Sequence, residues 1–173
     1  MEKIDLRSLR KIMIENLFEI STYQRCIDWA IGELLRGVED ENVCILASSN
    51  TNNLEEIRTY VQKITAKEPN ITKEELYESA GAIIVKVGQE YLDGFIDLKT
   101  LENILDNLYI NLGHPDWLVI LTRNCEYATD IECFVPPFIK ELNYITSLWS
   151  EFPKYEVFGK RYDRNISNSH DFE

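Results

Sequence analysis

Carboxylates are the residues in this sequence whose types and spacing could do chemistry. They stand in pairs at Glu55-Glu56, at Glu74-Glu75, and at Asp93 with Asp97. General acid–base catalysis needs two carboxyl groups whose environments separate their pKa values, usually inside a cleft. These pairs fall in predicted loops or in the first turns of predicted helices, where water and the helix dipole account for them. The pattern favours solvated surface residues, so we predict no catalytic residue, and an enzyme of unrecognised class is a third alternative.

The histidines and cysteines lack the spacing of a metal site or of a nucleophile paired with a base. The four cysteines form no Cys-x-x-Cys pair, and neither His114 nor His170 has a glutamate at Glu-x-x-His spacing. Phosphate-cradling glycine-rich loops and Gly-x-Ser-x-Gly motifs are also missing from the sequence. We therefore expect no metal, no cofactor, and reduced, mostly buried thiols.

The tripeptide His114-Pro115-Asp116 resembles the one that J-domain co-chaperones place between two helices. In that family a strongly basic helix precedes the tripeptide, whereas residues 100–114 contain no lysine or arginine. The residues are also typical of a helix stop followed by a new helix with Asp116 in its first turn. We favour this second interpretation.

Glu102 and Asp106 stand four residues apart on a predicted helix, with no basic residue at the neighbouring positions. Like charges at this spacing destabilise a helix unless water screens them or a partner compensates for them. The second possibility predicts an anionic face complementary to a basic protein, with Trp117 as an apolar anchor if its side chain is exposed. The predicted partner-binding residues lie between positions 93 and 132. They are Asp93, Asp97, Glu102, Asp106, Asp116, Trp117, Asp130 and Glu132.

Charge and hydropathy limit the classes of partner. The chain has 173 residues and a net charge of −12, which argues against nucleic acid and anionic lipid because both repel it. Residues 88–151 hold 11 acidic and 3 basic side chains, so most of the negative charge lies there. No apolar run is long enough to span a membrane, and the start lacks the layout of a secretion signal. We expect a cytoplasmic protein.

Helical periodicity runs through most of the chain and predicts the all-α class. The strongest signal covers residues 98–112, where leucines recur at helical spacing between Asp97 as a cap and Gly113 as a stop. We expect antiparallel helical hairpins packed as a bundle or a short α-solenoid. Residues 43–48 and 117–121 read as helix or strand, so an α+β fold with a small sheet is the alternative. We expect one helical domain at 1–152 and a partly irregular tail at 153–173.

Several short segments between residues 20 and 115 resemble a pattern of small helical bacterial proteins. Those proteins are grouped with the immunity proteins of polymorphic toxin and contact-dependent inhibition systems. The segments that carry the resemblance are Ile27-Asp28-Trp29-Ala30, Leu34-Leu35, Gly37, Ile45-Leu46-Ala47-Ser48, Leu54-Glu55-Glu56-Ile57 after an asparagine-rich loop, Tyr91-Leu92-Asp93-Gly94 and Ile96-Asp97. Ser48 stands where a glycine is expected.

The resemblance implies an all-helical stack without a cofactor that binds and blocks a cognate toxin in the cytoplasm of its producer. The acidic composition is independently compatible, because an anionic surface can occupy the basic substrate groove of a nuclease. The leading hypothesis is therefore an immunity-type inhibitor that neutralises a protein toxin through an acidic surface. The alternative is a non-enzymatic helical adaptor or oligomer subunit, which would show a contiguous apolar patch and self-association.

Overall fold

The computed structural model describes residues 3–66 and 68–169. Over these residues the chain forms nine α-helices and no strand, so the predicted all-α class is confirmed. The helices are α1 Leu6–Leu17, α2 Gln24–Leu35, α3 Glu41–Ser48, α4 Leu54–Thr65, α5 Lys73–Leu92, α6 Leu98–Asn111, α7 Asp116–Asp130, α8 Val135–Glu151 and α9 Tyr155–Ser169, with a short 3-10 helix, Glu132–Phe134, before α8.

The two segments that read as helix or strand are both helical. Residues 43–48 belong to α3, and residues 117–121 belong to α7. Asp40 begins α3, since its carboxylate accepts hydrogen bonds from the N–H groups of Asn42 at 2.9 Å and Val43 at 3.1 Å. Val43 and Leu46, three residues apart, are buried, while Cys44 is exposed. The alternative with a small sheet is wrong for the described part of the chain.

The chain divides into two compact units, which differs from the single domain expected for residues 1–152. The first unit is Met1–Asn70 and contains α1 to α4, and the second unit is Ile71–Glu173 and contains α5 to α9. The first unit has an aliphatic core, with a few aromatic side chains packed at its margin. Its buried members are Leu9, Ile12, Cys26, Ile27, Ala30, Val43, Leu46, Ile57 and Val61.

Aromatic side chains make up much of the core of the second unit. Trp149 of α8 stacks on Phe158 of α9, with 3.8 Å between ring centroids, and Trp117 of α7 meets Trp149 edge to face at 5.3 Å. Gly81 of α5 lets the Trp149 ring lie directly against the helix backbone. A Cβ atom at Gly81 would fall 2.3 Å from the Trp149 ring.

The expected irregular tail contains α9. Phe158 is fully buried and Tyr162 is 3% exposed, one turn apart on this helix. The sequence reasoning missed a periodic signal here, because Tyr155, Phe158, Tyr162 and Ile166 recur at helical spacing. The expectation for residues 170–173 lies outside the described residues.

Candidate protein-binding surface

Helices α6 and α7 form the hairpin that carries most of the predicted partner-binding residues. Asp97 caps α6 by accepting a hydrogen bond from the N–H of Thr100 at 2.7 Å. The hairpin turns at Gly113 and His114, which both have positive φ, at 74° and 61°. Asp130, at the end of α7, is close enough to Lys99, at the start of α6, for its charge to help raise the pKa of Lys99. The two helices are therefore antiparallel.

Glu102 has a basic neighbour that the sequence reasoning missed. Lys99 lies one turn earlier on α6, and its ammonium group is 2.9 Å from the Glu102 carboxylate. Glu102 is only 7% exposed. The prediction of an uncompensated, exposed Glu102 is therefore wrong: Glu102 lies below the surface and holds Lys99 above it.

Carboxylates from both helices surround Lys99. Burial, together with the charges of Glu102 and Glu126, raises the pKa of Asp106, and Lys99 partly offsets this effect. The hydrogen bond that Lys99 donates to Glu102, helped by the charges of Glu102, Asp106 and Asp130, raises the pKa of Lys99. We call Asp106, Glu126 and Asp130 the acidic surface, and Glu102 lies buried beneath it. Glu126 was not predicted, although its position four residues before Asp130 places both carboxylates on one face of α7.

Cys125 lies behind the acidic surface and is fully buried. Desolvation, reinforced by the charges of Glu102 and Asp106, raises the pKa of its thiol to about 12. A thiolate is the nucleophilic form of cysteine, so this side chain is a core residue and not a reactive centre at neutral pH.

The other predicted carboxylates have separate surroundings. Asp93 accepts a hydrogen bond from the Gln89 amide at 2.9 Å. Asp116 is the first residue of α7. Its charge adds to the effect of burial in raising the pKa values of Tyr155 and Tyr162 of α9. Glu132 is exposed in the 3-10 helix. Of the predicted set, the structure therefore brings Glu102, Asp106 and Asp130 together.

Trp117 was predicted as an apolar anchor if exposed, and it is not exposed. Its side chain is 4% exposed and contacts the rings of Tyr77, Trp149 and Phe158. Trp117 follows the first residue of α7, on the side of that helix that packs into the aromatic core. A protein partner therefore cannot use this ring as an apolar anchor.

Phe95 presents the apolar ring that Trp117 does not. It is 79% exposed and follows Gly94, whose φ of 78° ends α5 in a left-handed turn. The N–H of Phe95 donates to the carbonyl oxygen of Glu90 at 2.8 Å, so the backbone that carries the ring is held in place. Leu92 beside it is 43% exposed. The sequence signal was an aromatic residue directly after a helix-ending glycine.

Comparison with protein families, curated proteins and solved structures found no match to this chain. Among the helices described, none is long and apolar enough to cross a membrane. The histidine, cysteine, aspartate and glutamate side chains of residues 3–66 and 68–169 form no group of three that could hold a metal ion. The acidic surface and Phe95 are therefore judged on their geometry and charge.

Proposed function

We propose that this protein is an immunity-type inhibitor that binds and neutralises a basic protein toxin. The acidic surface supplies the electrostatic attraction, and Phe95 supplies an apolar contact. The observation that carries the proposal is the group of carboxylates from α6 and α7 around Lys99, where burial and then the charges of Glu102 and Glu126 raise the pKa of Asp106. Charge arranged in this way speeds the encounter with a basic partner and rejects acidic ones.

Ionised Asp106 opposes folding, because it is partly buried and lies near other carboxylates, and this supports a role in binding. Because the pKa of Asp106 is raised in the folded state, ionised Asp106 destabilises the fold at neutral pH. A surface kept for solubility alone could spread its charges apart. Groups that lower stability and persist are typical of functional sites, where a partner relieves the repulsion.

Phe95 has the character of an interface anchor. Large aromatic side chains dominate binding energies when a partner desolvates them, and a ring held on a fixed backbone loses little conformational entropy on binding. Phe95 lies in the loop between α5 and α6, two residues before Asp97, the cap of α6. It also borders a groove of about 620 Å³ between α5 and α8, lined in part by Gln89 and Thr146.

The test compares two variants with the same change in charge. The first neutralises the acidic surface as Asp106→Asn, Glu126→Gln and Asp130→Asn, and it leaves Glu102 in place because that residue is buried against Lys99. The control neutralises three exposed glutamates of the first unit as Glu39→Gln, Glu41→Gln and Glu68→Gln.

Both variants and the unaltered protein are tagged and used to capture partners from the producing cells. The washes run at about 0.1 M and about 1 M salt, over which the screening length falls from about 10 Å to about 3 Å. The captured protein is then expressed in a bacterial host with and without each form of the inhibitor, and growth is followed.

We expect a basic partner that stops growth, with rescue by the unaltered protein and by the first-unit control. The acidic-surface variant should rescue weakly, and Phe95→Ser should lower the affinity by roughly 30-fold or more. A partner without toxicity would overturn the proposal, and so would equal rescue by both triple variants.

A second candidate function, an oligomer subunit, has one observation in its favour. Ile31 and Leu35 lie one turn apart on α2 and are 42% and 84% exposed. A second copy of the chain could cover this pair. Sedimentation at micromolar concentration distinguishes the functions: self-association that Leu35→Ser abolishes would favour the subunit role.

A further inference from the structure

A cleft of about 360 Å³ opens within the second unit. It lies between the start of α5, the turn at residues 113–115, the start of α7 and one side of α9. Its volume is in the range of roughly 300–1,000 Å³ that is typical of small-molecule sites. None of its lining residues belongs to the acidic surface.

Two side chains that line the cleft have buried polar groups without a partner. Trp117 and Tyr162 are 4% and 3% exposed, and neither the indole N–H nor the hydroxyl has a hydrogen-bond partner among the residues that the structure describes. Burial is the main cause that raises the pKa of Tyr162 to about 12, so its hydroxyl keeps its proton and remains a donor at neutral pH. Buried donors are rarely left unpaired, which marks this wall of the cleft as a place for an acceptor.

The start of α7 adds further donors to the same cleft. The N-cap residue is Pro115, and no side chain caps the first turn, as is also the case in α2 and α8. The N–H groups of a first turn and the helix dipole favour a negatively charged ligand group. Lys73 of α5 lines the cleft as well and adds a positive charge.

Carboxylates line the cleft too, so a simple anion does not match it. Asp116 and Asp163 both border it, and rings of Tyr77 and Tyr155 form part of its wall, 4.4 Å apart between centroids. The ammonium group of Lys73 lies over the Tyr77 ring, 5.2 Å from its centroid, so a ligand cation is left with Tyr155, which is partly exposed. The Tyr155 ring and the carboxylate of Asp116 together favour a cation.

We propose that this cleft binds a basic amino acid or a closely related small zwitterion. The ligand carboxylate faces the donors of Trp117, Tyr162 and the first turn of α7. Its cationic side chain lies against the Tyr155 ring and pairs with Asp116. This site is independent of toxin binding, since a protein that fails every test of the acidic surface could still bind the amino acid.

Titration calorimetry with L-arginine on the full chain tests the proposal, with glutamate and L-arginine methyl ester as comparison ligands. We expect binding of L-arginine at millimolar concentrations or below. The ester lacks the carboxylate and should bind at least roughly tenfold more weakly, and glutamate should not bind.

Three variants locate the site. Tyr162→Phe removes an unpartnered hydroxyl, so the protein should fold with unchanged or higher stability while its Kd for L-arginine rises roughly threefold to tenfold. Gly159→Leu fills the cleft and should abolish binding, because a Cβ at Gly159 meets no atom within 4 Å. The control Tyr127→Phe removes a hydroxyl from a half-exposed residue of α7 outside the cleft and should bind normally.

No heat of binding up to about 10 mM L-arginine would overturn the proposal, because a Kd far above that range corresponds to less than about 3 kcal/mol of binding free energy. Equal affinity for the ester would also overturn it, and would point instead to a basic side chain of a macromolecule. Unchanged binding by Gly159→Leu would place any arginine site elsewhere.

Discussion

The two units bury the apolar faces of their helices with different kinds of side chain. The first unit uses branched aliphatic residues such as Leu46 and Ile57, which contain no polar atom to satisfy. The second unit stacks Trp117, Trp149 and Phe158, and buries two indole N–H groups in the process. Among the described residues, the first unit leaves one indole N–H without a hydrogen-bond partner, that of Trp29. Stacking rings in a core therefore leaves more buried donors unpaired than packing aliphatic side chains does.

Glycine substitutions should show the largest difference between the two cores. Gly81→Ala in α5 places a methyl group 2.3 Å from the Trp149 ring, so the ring must move and stability should fall by about 3 kcal/mol. Gly32→Ala in α2 meets no atom within 4 Å and should raise stability by roughly 0.5–1 kcal/mol. Urea unfolding followed by circular dichroism measures both. Equal effects would mean that the aromatic core is no more tightly packed at this point than the surface of α2.

The reaction rates of the cysteine thiols give a second comparison of the two units, because each unit has one exposed and one buried thiol. Cys44 and Cys133 are exposed, and Cys26 and Cys125 are buried. Burial raises the pKa of Cys26 to about 11 and that of Cys125 to about 12. Each pKa unit lowers the thiolate fraction about tenfold near neutral pH, so the buried pair should react at least about 100-fold more slowly.

Alkylation with iodoacetamide at pH 7.5, read by peptide mass spectrometry, measures these rates. Fast modification of Cys26 alone would show that the first unit opens more readily than the second. Fast modification of Cys125 would instead contradict the close packing of α6 on α7. Unfolding in urea serves as the control, since all four thiols should then react alike.

Removing the N-cap side chain of a helix tests whether the first unit depends on local sequence signals. Asp40→Ala removes the acceptor of two N–H groups at the start of α3, which has only eight residues. We expect a loss of about 1 kcal/mol in the free energy of unfolding, measured by urea denaturation. The neighbouring Glu39→Ala should change little. If both substitutions had the same effect, packing of Val43 and Leu46 would hold α3 without its cap.

Local signals account for the parts of the structure that the sequence predicted. The leucine repeat and the Asp97 cap sufficed for α6, and the lysine three residues before Glu102 could have been read from spacing alone. The missed features depend on tertiary contacts. Whether Trp117 or Phe95 is exposed depends on which side of each element meets the core. The charge of Glu126 acts on Asp106 only once α6 and α7 have packed together in their final register.

Ionised Asp106 on the acidic surface should lower the stability of the second unit, and this effect should depend on pH. The pKa of Asp106 is raised in the fold, mainly by burial and then by Glu102 and Glu126. Its protonated form is therefore favoured in the folded state. That contribution is fully present below the unfolded pKa, near 3.8, and is lost as the pH rises through the raised folded pKa.

Asp106→Asn should accordingly raise the free energy of unfolding at pH 7, and the gain should shrink as the pH falls toward 3.8 and disappear below it. The control Asp93→Asn alters an exposed residue next to the Gly94 turn and should change stability little at either pH. Urea unfolding at pH 7 and pH 3.5 gives both differences. A loss of stability at pH 7 would mean that ionised Asp106 stabilises the fold through Lys99. The crowding of carboxylates would then be ordinary structural pairing, and the main support for a partner at this surface would be gone.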